Sequence, residues 1–123
     1  MQLCIYYMEN LKLTKKMDYN EAKFISEIIK AMANPVRLMI VDELRHGKKC
    51  LCELMPKFDL DQSTLSRHIS QLKKAGIISE RKEGVRIELS LATPCILNIF
   101  ECVLTVARND IEIKKKVIKK EKK

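Results

Sequence analysis

The stretch DQSTLSRHISQLKKAGII, residues 61–78, decides the fold. Within it, Leu65, Ile69 and Leu72 recur at spacings of four and three residues, which places them on one face of an α-helix. Asp61 belongs to the residue types that cap a helix start by accepting hydrogen bonds from the first turn. The stretch therefore predicts an amphipathic helix with an apolar inner face and a polar outer face.

The apolar pattern changes its period directly after this helix. Gly76 stands where a left-handed residue ends a helix, and Ile77 is placed to pack back on the last turn. Residues 77–91, IISERKEGVRIELSL, then alternate with a period of two around a turn at Glu83-Gly84. A capped helix followed at once by a β-hairpin indicates a winged helix-turn-helix, in which the hairpin is the wing.

Three segments upstream also carry helical patterns. The first begins at about Asn20, and the second follows Asn34 and Pro35, a capping residue and a proline suited to the first helical position. The second is expected to end in a basic last turn at Arg45 and His46, closed by Gly47. The third, at roughly 51–57, is short and lies just before the helix that starts near residue 62. These last two helices form the pair that a helix-turn-helix requires, with the later one entering the major groove of DNA.

A long helix is predicted from about residue 95 to 117, after Pro94. Its apolar residues nearly encircle it, and a chain of 123 residues is too small to bury such a helix on all sides. We therefore expect a mainly α fold with a small β-hairpin that forms a homodimer through its first and last helices. The expected organisation is a flexible arm over 1–18, a winged helix-turn-helix domain over 19–113 and a basic tail over 114–123.

The net charge of +8 at pH 7 is concentrated at the end of the chain. Residues 114–123 hold seven lysines and one glutamate, so they contribute +6 of the total. Such a tail is either a solvated helix end or an arm that seeks phosphate, and the charge alone does not establish a nucleic-acid partner. No segment reads as a signal peptide or as a membrane span of about 18 apolar residues, so we expect a cytoplasmic protein without a membrane partner.

The polar face of the central helix and the basic residues of the hairpin are suited to double-stranded DNA. Glutamine, serine and arginine side chains hydrogen-bond to base edges, and Arg67 is suited to bidentate contacts with guanine. The lysine and arginine side chains on the hairpin are better placed to contact phosphates. The alternative is the solvated face of an ordinary amphipathic helix, and the hairpin favours DNA. We predict DNA contacts from Gln62, Ser63, Thr64, Ser66, Arg67, His68, Ser70, Gln71, Lys73, Lys74, Arg81, Lys82 and Arg86.

Three segments resemble the ArsR/SmtB family of metal-sensing transcriptional repressors. They are MANPVRLMIVDELRHGKKCLCEL at 32–54, DQSTLSRHISQLKKAGII at 61–78 and ERKEGVRIELSL at 80–91. The resemblance implies a homodimeric repressor that binds an inverted-repeat operator and leaves it when a toxic metal or metalloid binds. In the arsenic-sensing branch the ligands lie in a Cys-x-Cys at the start of the first helix of the DNA-reading pair, which Cys50 and Cys52 match.

Cys50 and Cys52 stand at the entrance of the short helix. Within a regular helix, residues two apart point about 200° away from each other, so both sulfurs reach one ion only where the helix is not regular. The unpaired N–H groups and the positive dipole end found there favour thiolate, which selects soft metals. We expect ion binding to pull the start of this helix out of helical form and so to misplace the DNA-reading helix, with arsenite or antimonite as the inducer.

Arsenite and antimonite take three thiolates, so a third ligand is needed. Relatives in the arsenic-sensing branch often have a cysteine three residues after the second, where this chain has Met55. The resemblance to cadmium- and lead-sensing relatives suggests Cys4 on the N-terminal arm. Cys95 and Cys102, predicted to share a face of the last helix, are either further ligands or small apolar residues. The zinc site of the family uses histidines on the last helix, and this helix has none.

Two other functions remain open from the sequence. A redox or persulfide switch would bridge Cys50 or Cys52 to another cysteine. A small thiol protein that only carries metal would not bind operator DNA. We do not expect an enzyme or an organic cofactor, because His46 near Cys50 has neither an orienting group nor an oxyanion site beside it.

Overall fold

The computed structural model describes the backbone of residues 16–121 and the side chains of residues 16–112 and 114–116. Its elements follow in this order: α1 (Tyr19–Met32), α2 (Pro35–Glu43), β1 (Lys49–Cys50), α3 (Leu51–Leu54) with a 3-10 turn (Met55–Lys57), α4 (Gln62–Lys74), β2 (Ile78–Glu83), β3 (Arg86–Leu91), a second 3-10 turn (Pro94–Ile96) and α5 (Leu97–Glu121). The predicted mainly α architecture with a small sheet, that of a winged helix-turn-helix, is confirmed.

The predicted start of α2 is also confirmed, whereas its predicted end is wrong. Asn34 Oδ1 accepts the Val36 backbone N–H at 2.9 Å, and Pro35 occupies the first helical position. The helix ends at Glu43, before the basic segment at residues 45–47 in which the sequence placed its last turn. The reason is that tight three-residue turns replace the helical ladder there, beginning with the Leu44 N–H, which is shared between two carbonyls.

The sheet has three antiparallel strands in the order β1-β3-β2, one more than the predicted hairpin. The short strand β1 pairs with β3 so that Cys50 lies opposite Glu88. The hairpin turn consists of Gly84 and Val85 rather than Glu83 and Gly84, one residue later than predicted. Gly84 has φ +62°, the left-handed value that two-residue hairpin loops require at their first position.

The hydrophobic core lies between α2, α3, α4 and one face of the sheet. Each of these elements contributes aliphatic side chains that are at most 2% exposed: Ile40, Val41, Leu44, Leu54, Leu65, Leu72, Ile77, Ile78 and Leu89. Burial of a Leu or Ile side chain is worth about 1.5–3 kcal/mol, so this cluster supplies the main stabilisation of the domain. The inner face predicted for α4 is therefore the centre of the core.

The first and last helices keep apolar side chains in solvent. Phe24 and Ile29 of α1 are 66% and 53% exposed, and Val103 and Val106 of α5 are 59% and 68% exposed. Helix α5 begins at Leu97, because a 3-10 turn occupies the two predicted first positions, and it continues to residue 121. Within residues 16–121 no helix combines the length and the apolarity that crossing a bilayer requires.

Candidate functional site

The start of α4 is held by a carboxylate cap. Asp61 Oδ1 accepts the Thr64 backbone N–H at 3.0 Å, and its Oδ2 accepts the Ser63 hydroxyl at 3.1 Å. The hydrogen bonds from Thr64 and then from Ser63 lower the pKa of Asp61. The cap therefore stays ionised near neutral pH, where its charge also suits the positive end of the helix dipole.

The end of α4 turns the chain directly into the wing. The Gly76 N–H donates to the Lys73 carbonyl and the Ile77 N–H to the Leu72 carbonyl, both at 3.0 Å, which is the Schellman arrangement. Gly76 has φ +80°, a value that residues with a Cβ rarely adopt. Because Ile77 is buried at 1% exposure, β2 leaves the helix in a fixed direction, and the predicted helix end is confirmed.

Helix α4 presents a polar outer face opposite its buried stripe. Seven of the residues predicted to contact DNA from this helix are exposed, and the other three are half-buried. The exposed residues are Gln62, Ser63, Ser66, Arg67, Gln71, Lys73 and Lys74, and the half-buried ones are Thr64, His68 and Ser70. The small side chains near the helix start allow a close approach of the helix to a groove.

His68 is engaged within the protein. Its Nδ1 accepts the Nε–H of Arg37 on α2 at 3.2 Å, and the same guanidinium donates through Nη1 to the Ala31 carbonyl at 3.1 Å. Burial lowers the pKa of His68, and the positive charges of Arg37 and Arg67 lower it further. His68 is therefore neutral around pH 7, and its Nδ1 serves to attach α4 to α2 and α1.

Several of the lysine and arginine side chains predicted to contact DNA have a carboxylate partner within the protein. The pairs are Lys73 with Glu80 at 2.9 Å, Arg81 with Glu83 at 3.3 Å and Arg86 with Glu88 at 3.3 Å. The basic side chains of these pairs are solvent-accessible, and ion pairs of this kind contribute little to stability in water. The lysine and arginine side chains therefore remain able to contact phosphate. Within the described residues, Arg67, Lys74 and Lys82 have no carboxylate within the 4.0 Å of an ion pair.

Cys50 and Cys52 meet where β1 passes into α3. Cys50 is the N-cap residue with φ −70° and ψ 146°, and its Sγ accepts the Cys52 backbone N–H at 3.1 Å. The two Cα atoms are 5.1 Å apart and the two sulfurs are bonded to each other. Cys50 is 4% exposed, whereas Cys52 lies exposed on the first helical turn. The pair therefore consists of one buried and one solvent-facing sulfur in direct contact.

Direct contact between the two sulfurs is compatible with a helical start of α3. Helix α3 begins at Leu51 while the sulfurs of Cys50 and Cys52 touch. The reason is that an N-cap residue has extended dihedral angles, so the angular relation of a regular helix does not apply to it. The effect of a bound ion on this helix start stays a prediction.

Two further cysteines, Cys95 and Cys102, belong to other elements of the fold. Cys95 is half-buried in the 3-10 turn before α5, and Cys102 is exposed on α5, so the two do not share one α-helix as the sequence predicted. Within residues 16–121 no three or more His, Cys, Asp and Glu side chains are arranged to hold a metal ion. Cys4 lies outside the described residues.

Two glutamates that the sequence reasoning missed lie beside the turn from Cys50 to Cys52, referred to below as the thiol turn. Glu53 Oε1 accepts the Cys50 backbone N–H at 3.3 Å, which completes a capping box with cysteine in the place of the usual Ser or Thr. Glu43 Oε2 lies 3.0 Å from Lys49 Nζ and 2.6 Å from Lys57 Nζ, and the hydrogen bonds from Lys57 and then Lys49 lower the pKa of Glu43. The Cys-x-x-Glu spacing could have indicated the capping role of Glu53, whereas no local pattern predicts the contacts of Glu43.

Comparisons with known proteins agree with this arrangement. Residues 34–80, from the cap of α2 into β2, match the family model "Bacterial regulatory protein, arsR family". Nodulation protein NolR of Rhizobium meliloti is 30% identical over 94 residues, 76% of this chain and 77% of that protein. The arsenical resistance operon repressor of Staphylococcus xylosus is 38% identical over 68 residues, 55% of this chain and 62% of that protein. Among solved structures, the homodimeric winged helix-turn-helix DNA-binding domain Mb0332 from Mycobacterium bovis superposes with a TM-score of 0.65 at 26% identity, covering 81% of this chain and 94% of that one.

Proposed function

The chain belongs to the ArsR family of bacterial regulatory proteins, and we propose that it is a DNA-binding transcriptional repressor released from its operator by a thiophilic metal or metalloid. Arsenite or antimonite is the proposed inducer. The similarity to an arsenical resistance repressor and the paired sulfurs of Cys50 and Cys52 support this choice. A cadmium or lead sensor that also uses Cys4 is the alternative within the same class. The proposed place of action is the cytoplasm.

The observation that carries the proposal is the position of Leu51, the residue between the two cysteines. Leu51 lines a small cavity of about 80 Å³ together with Ser66 and Ile69 of α4. The cavity is far smaller than the several hundred Å³ of an organic ligand site. Because Leu51 and the two α4 side chains line the same cavity, it supports a path by which a change in the turn of Cys50 to Cys52 alters the support of α4.

Once the bond between the two sulfurs is reduced, Cys50 and Cys52 supply two adjacent thiolates, which suit a soft ion by their donor chemistry. The turn itself offers only these two thiols, because position 55 is a methionine, whose thioether cannot become a thiolate, and the nearby Glu53 carboxylate is already bonded to a backbone N–H. A third donor must come from elsewhere in the assembly. We propose Cys4 for this role, with Cys95 and Cys102 as the other candidates.

The proposed repressor is a homodimer that binds an inverted repeat. The exposed apolar faces of α1 and α5 are suited to cover each other across two protomers, as expected for helices that one small chain leaves unburied. The similarity to a homodimeric winged helix-turn-helix domain supports this assembly. A twofold axis then presents two copies of α4 to successive major grooves of a palindromic site.

A gel-shift titration on the promoter of the protein's own gene tests this function. Arsenite is expected to weaken operator binding by about 5–150-fold, the usual range of allosteric coupling. Cys50→Ser and Cys52→Ser are expected to bind the operator normally and to ignore arsenite. Release retained in both variants would place the sensor elsewhere.

Arg67→Ala separates the repressor from a metal carrier. In a repressor this change is expected to abolish operator binding while leaving the ultraviolet absorbance of the arsenite–thiolate complex unchanged. Operator binding that survives the change would contradict the assignment of the α4 outer face.

A redox switch is the second candidate, because the two sulfurs are bonded in this structure. Peroxide would take two electrons and two protons from the thiols of Cys50 and Cys52, leaving one disulfide and two water molecules. Thiol counting after peroxide treatment, alongside a gel shift without metal, tests this reading. Release by peroxide together with indifference to arsenite would favour it over metal sensing.

A further inference from the structure

The carboxylate of Glu53 stands between the thiol pair and the wing. Its Oε1 accepts the Cys50 backbone N–H at 3.3 Å and also accepts a hydrogen bond from Arg86 Nη2 at 3.4 Å. Arg86 is the first residue of β3, directly after the hairpin turn. One oxygen atom therefore joins the residue that opens the thiol turn to the residue that opens the returning strand of the wing.

A second connection runs along the other side of the same turn. Cys50 lies opposite Glu88 in the β1–β3 ladder, and the Glu88 carboxylate contacts Lys48 and Arg86, each at 3.3 Å. The hydrogen bond from Lys48 is the main reason that the pKa of Glu88 is lowered. Arg86 therefore has one carboxylate partner on its own strand and one on α3, and it is the α3 carboxylate that accepts the Cys50 backbone N–H.

We propose that Glu53 is a positioning residue that transmits the state of the thiol pair to the wing. This inference rests on the proposed function, in which an ion on Cys50 and Cys52 weakens operator binding. The Cys50 sulfur caps α3 by accepting the Cys52 N–H, so occupation of that sulfur acts first on the cap. The cap and the Glu53 contact share the Cys50 residue, and a change in one changes the other. Arg86 then loses or shifts its α3 partner, and the wing moves relative to α4.

The exposure of the pair suits a switch. The Glu53 and Arg86 side chains are 50% and 51% exposed, so water can replace either partner at little cost. A fully buried pair would instead resist separation by several kcal/mol and would fix the wing in one position. This path also explains how the thiol pair can act on DNA binding while α3 remains helical.

The test compares two neutralised glutamates in the full-length protein. Glu53→Gln keeps an acceptor for the Cys50 N–H but removes the charge that attracts Arg86. Glu83→Gln is the matched control, because Glu83 is 52% exposed and pairs with Arg81 of the wing at 3.3 Å without touching the thiol turn. The measured quantity is the operator Kd with sodium arsenite divided by the operator Kd without it, called the arsenite ratio. The buffer contains a phosphine reductant and no competing small thiol.

The expected result is a selective loss of coupling. Glu53→Gln is expected to lower the arsenite ratio about two- to fivefold, the range set by an exposed ion pair, while Glu83→Gln keeps the wild-type ratio. Arsenite stoichiometry, read from thiolate absorbance, should stay unchanged in both. A purely structural role would weaken operator binding equally with and without arsenite, and an unchanged ratio in Glu53→Gln would overturn the inference.

Arg86→Gln provides the second measurement. It is expected to weaken operator binding in both conditions and to show the same reduced ratio as Glu53→Gln, with no further fall in the double variant. Additive falls would place the coupling outside this pair and overturn the inference. A wild-type ratio of one would instead refute arsenite sensing itself, so the two failures are distinguishable.

Discussion

Replacing Arg37 with methionine is expected to weaken the attachment of α4 to α2 and α1. Arg37 is half-buried on α2, and its guanidinium donates to His68 on α4 at 3.2 Å and to the Ala31 carbonyl of α1 at 3.1 Å. One side chain thus holds three helices together. Methionine preserves most of the aliphatic length and removes both donors, so the variant isolates the contribution of the hydrogen bonds.

The magnitude follows from the number and exposure of these bonds. A hydrogen bond that involves a charged group contributes about 1.5–3 kcal/mol when it is buried. Arg37 is only half-buried, so water recovers part of the loss, and we expect the free energy of unfolding to fall by about 2 kcal/mol for the two bonds together. That is roughly a 30-fold change in the folding equilibrium constant. Arg37→Lys should recover part of it, because an ammonium cannot present two donors in the fixed geometry of a guanidinium.

Urea unfolding followed by circular dichroism measures this loss. Arg45→Met is the matched control, since Arg45 makes only a solvent-accessible pair with Asp42 at 2.9 Å and is expected to change stability by less than about 0.5 kcal/mol. If Arg37→Met is as stable as the control variant, the hydrogen bonds of Arg37 do not stabilise the fold and the expectation is wrong.

Two further predictions concern pH and the end of α4. Because the pKa of His68 is lowered in the folded state, mainly by burial, the unfolded chain binds more protons, and stability should fall as the pH drops from about 7 through the ordinary histidine value of about 6.5. His68→Gln should flatten this part of the stability curve, with exposed His46→Gln as the control, and an unchanged slope would contradict it. Gly76→Ala should cost about 1–2 kcal/mol in thermal or urea unfolding because of its φ of +80°, although the added Cβ would meet no atom within 4 Å. A loss near zero would show that the helix end relaxes.

The parts of the fold that local sequence specifies could be predicted. The cap at Asp61 and the stop at Gly76 depend only on residues within a few positions, so both ends of α4 follow from the pattern. The predicted position of the hairpin turn was wrong by one residue, because a single glycine can occupy either the first or the second position of a two-residue loop. Gly84 takes the first place, and the strand pairing of β2 with β3 decides this rather than the turn itself.

The parts that depend on distant residues could not be predicted. Strand β1 has two residues and exists only because it pairs with β3, almost forty positions later. The bond from Arg37 to His68 spans 31 positions and that from Arg86 to Glu53 spans 33. No periodicity encodes contacts at such separations. The sequence therefore pointed to the cysteines and the outer face of α4 as candidates, but the contacts that connect them are visible only in the folded chain.

The unequal burial of the two sulfurs fixes an order of events at the thiol turn. In the reduced protein, a reagent arriving from water meets the exposed Cys52 before Cys50, which is 4% exposed. A small alkylating agent should therefore modify one site per chain long before the other. Under the proposed function, an ion would bond first to the outer sulfur and only then to the inner one, so its binding would proceed in two separate steps.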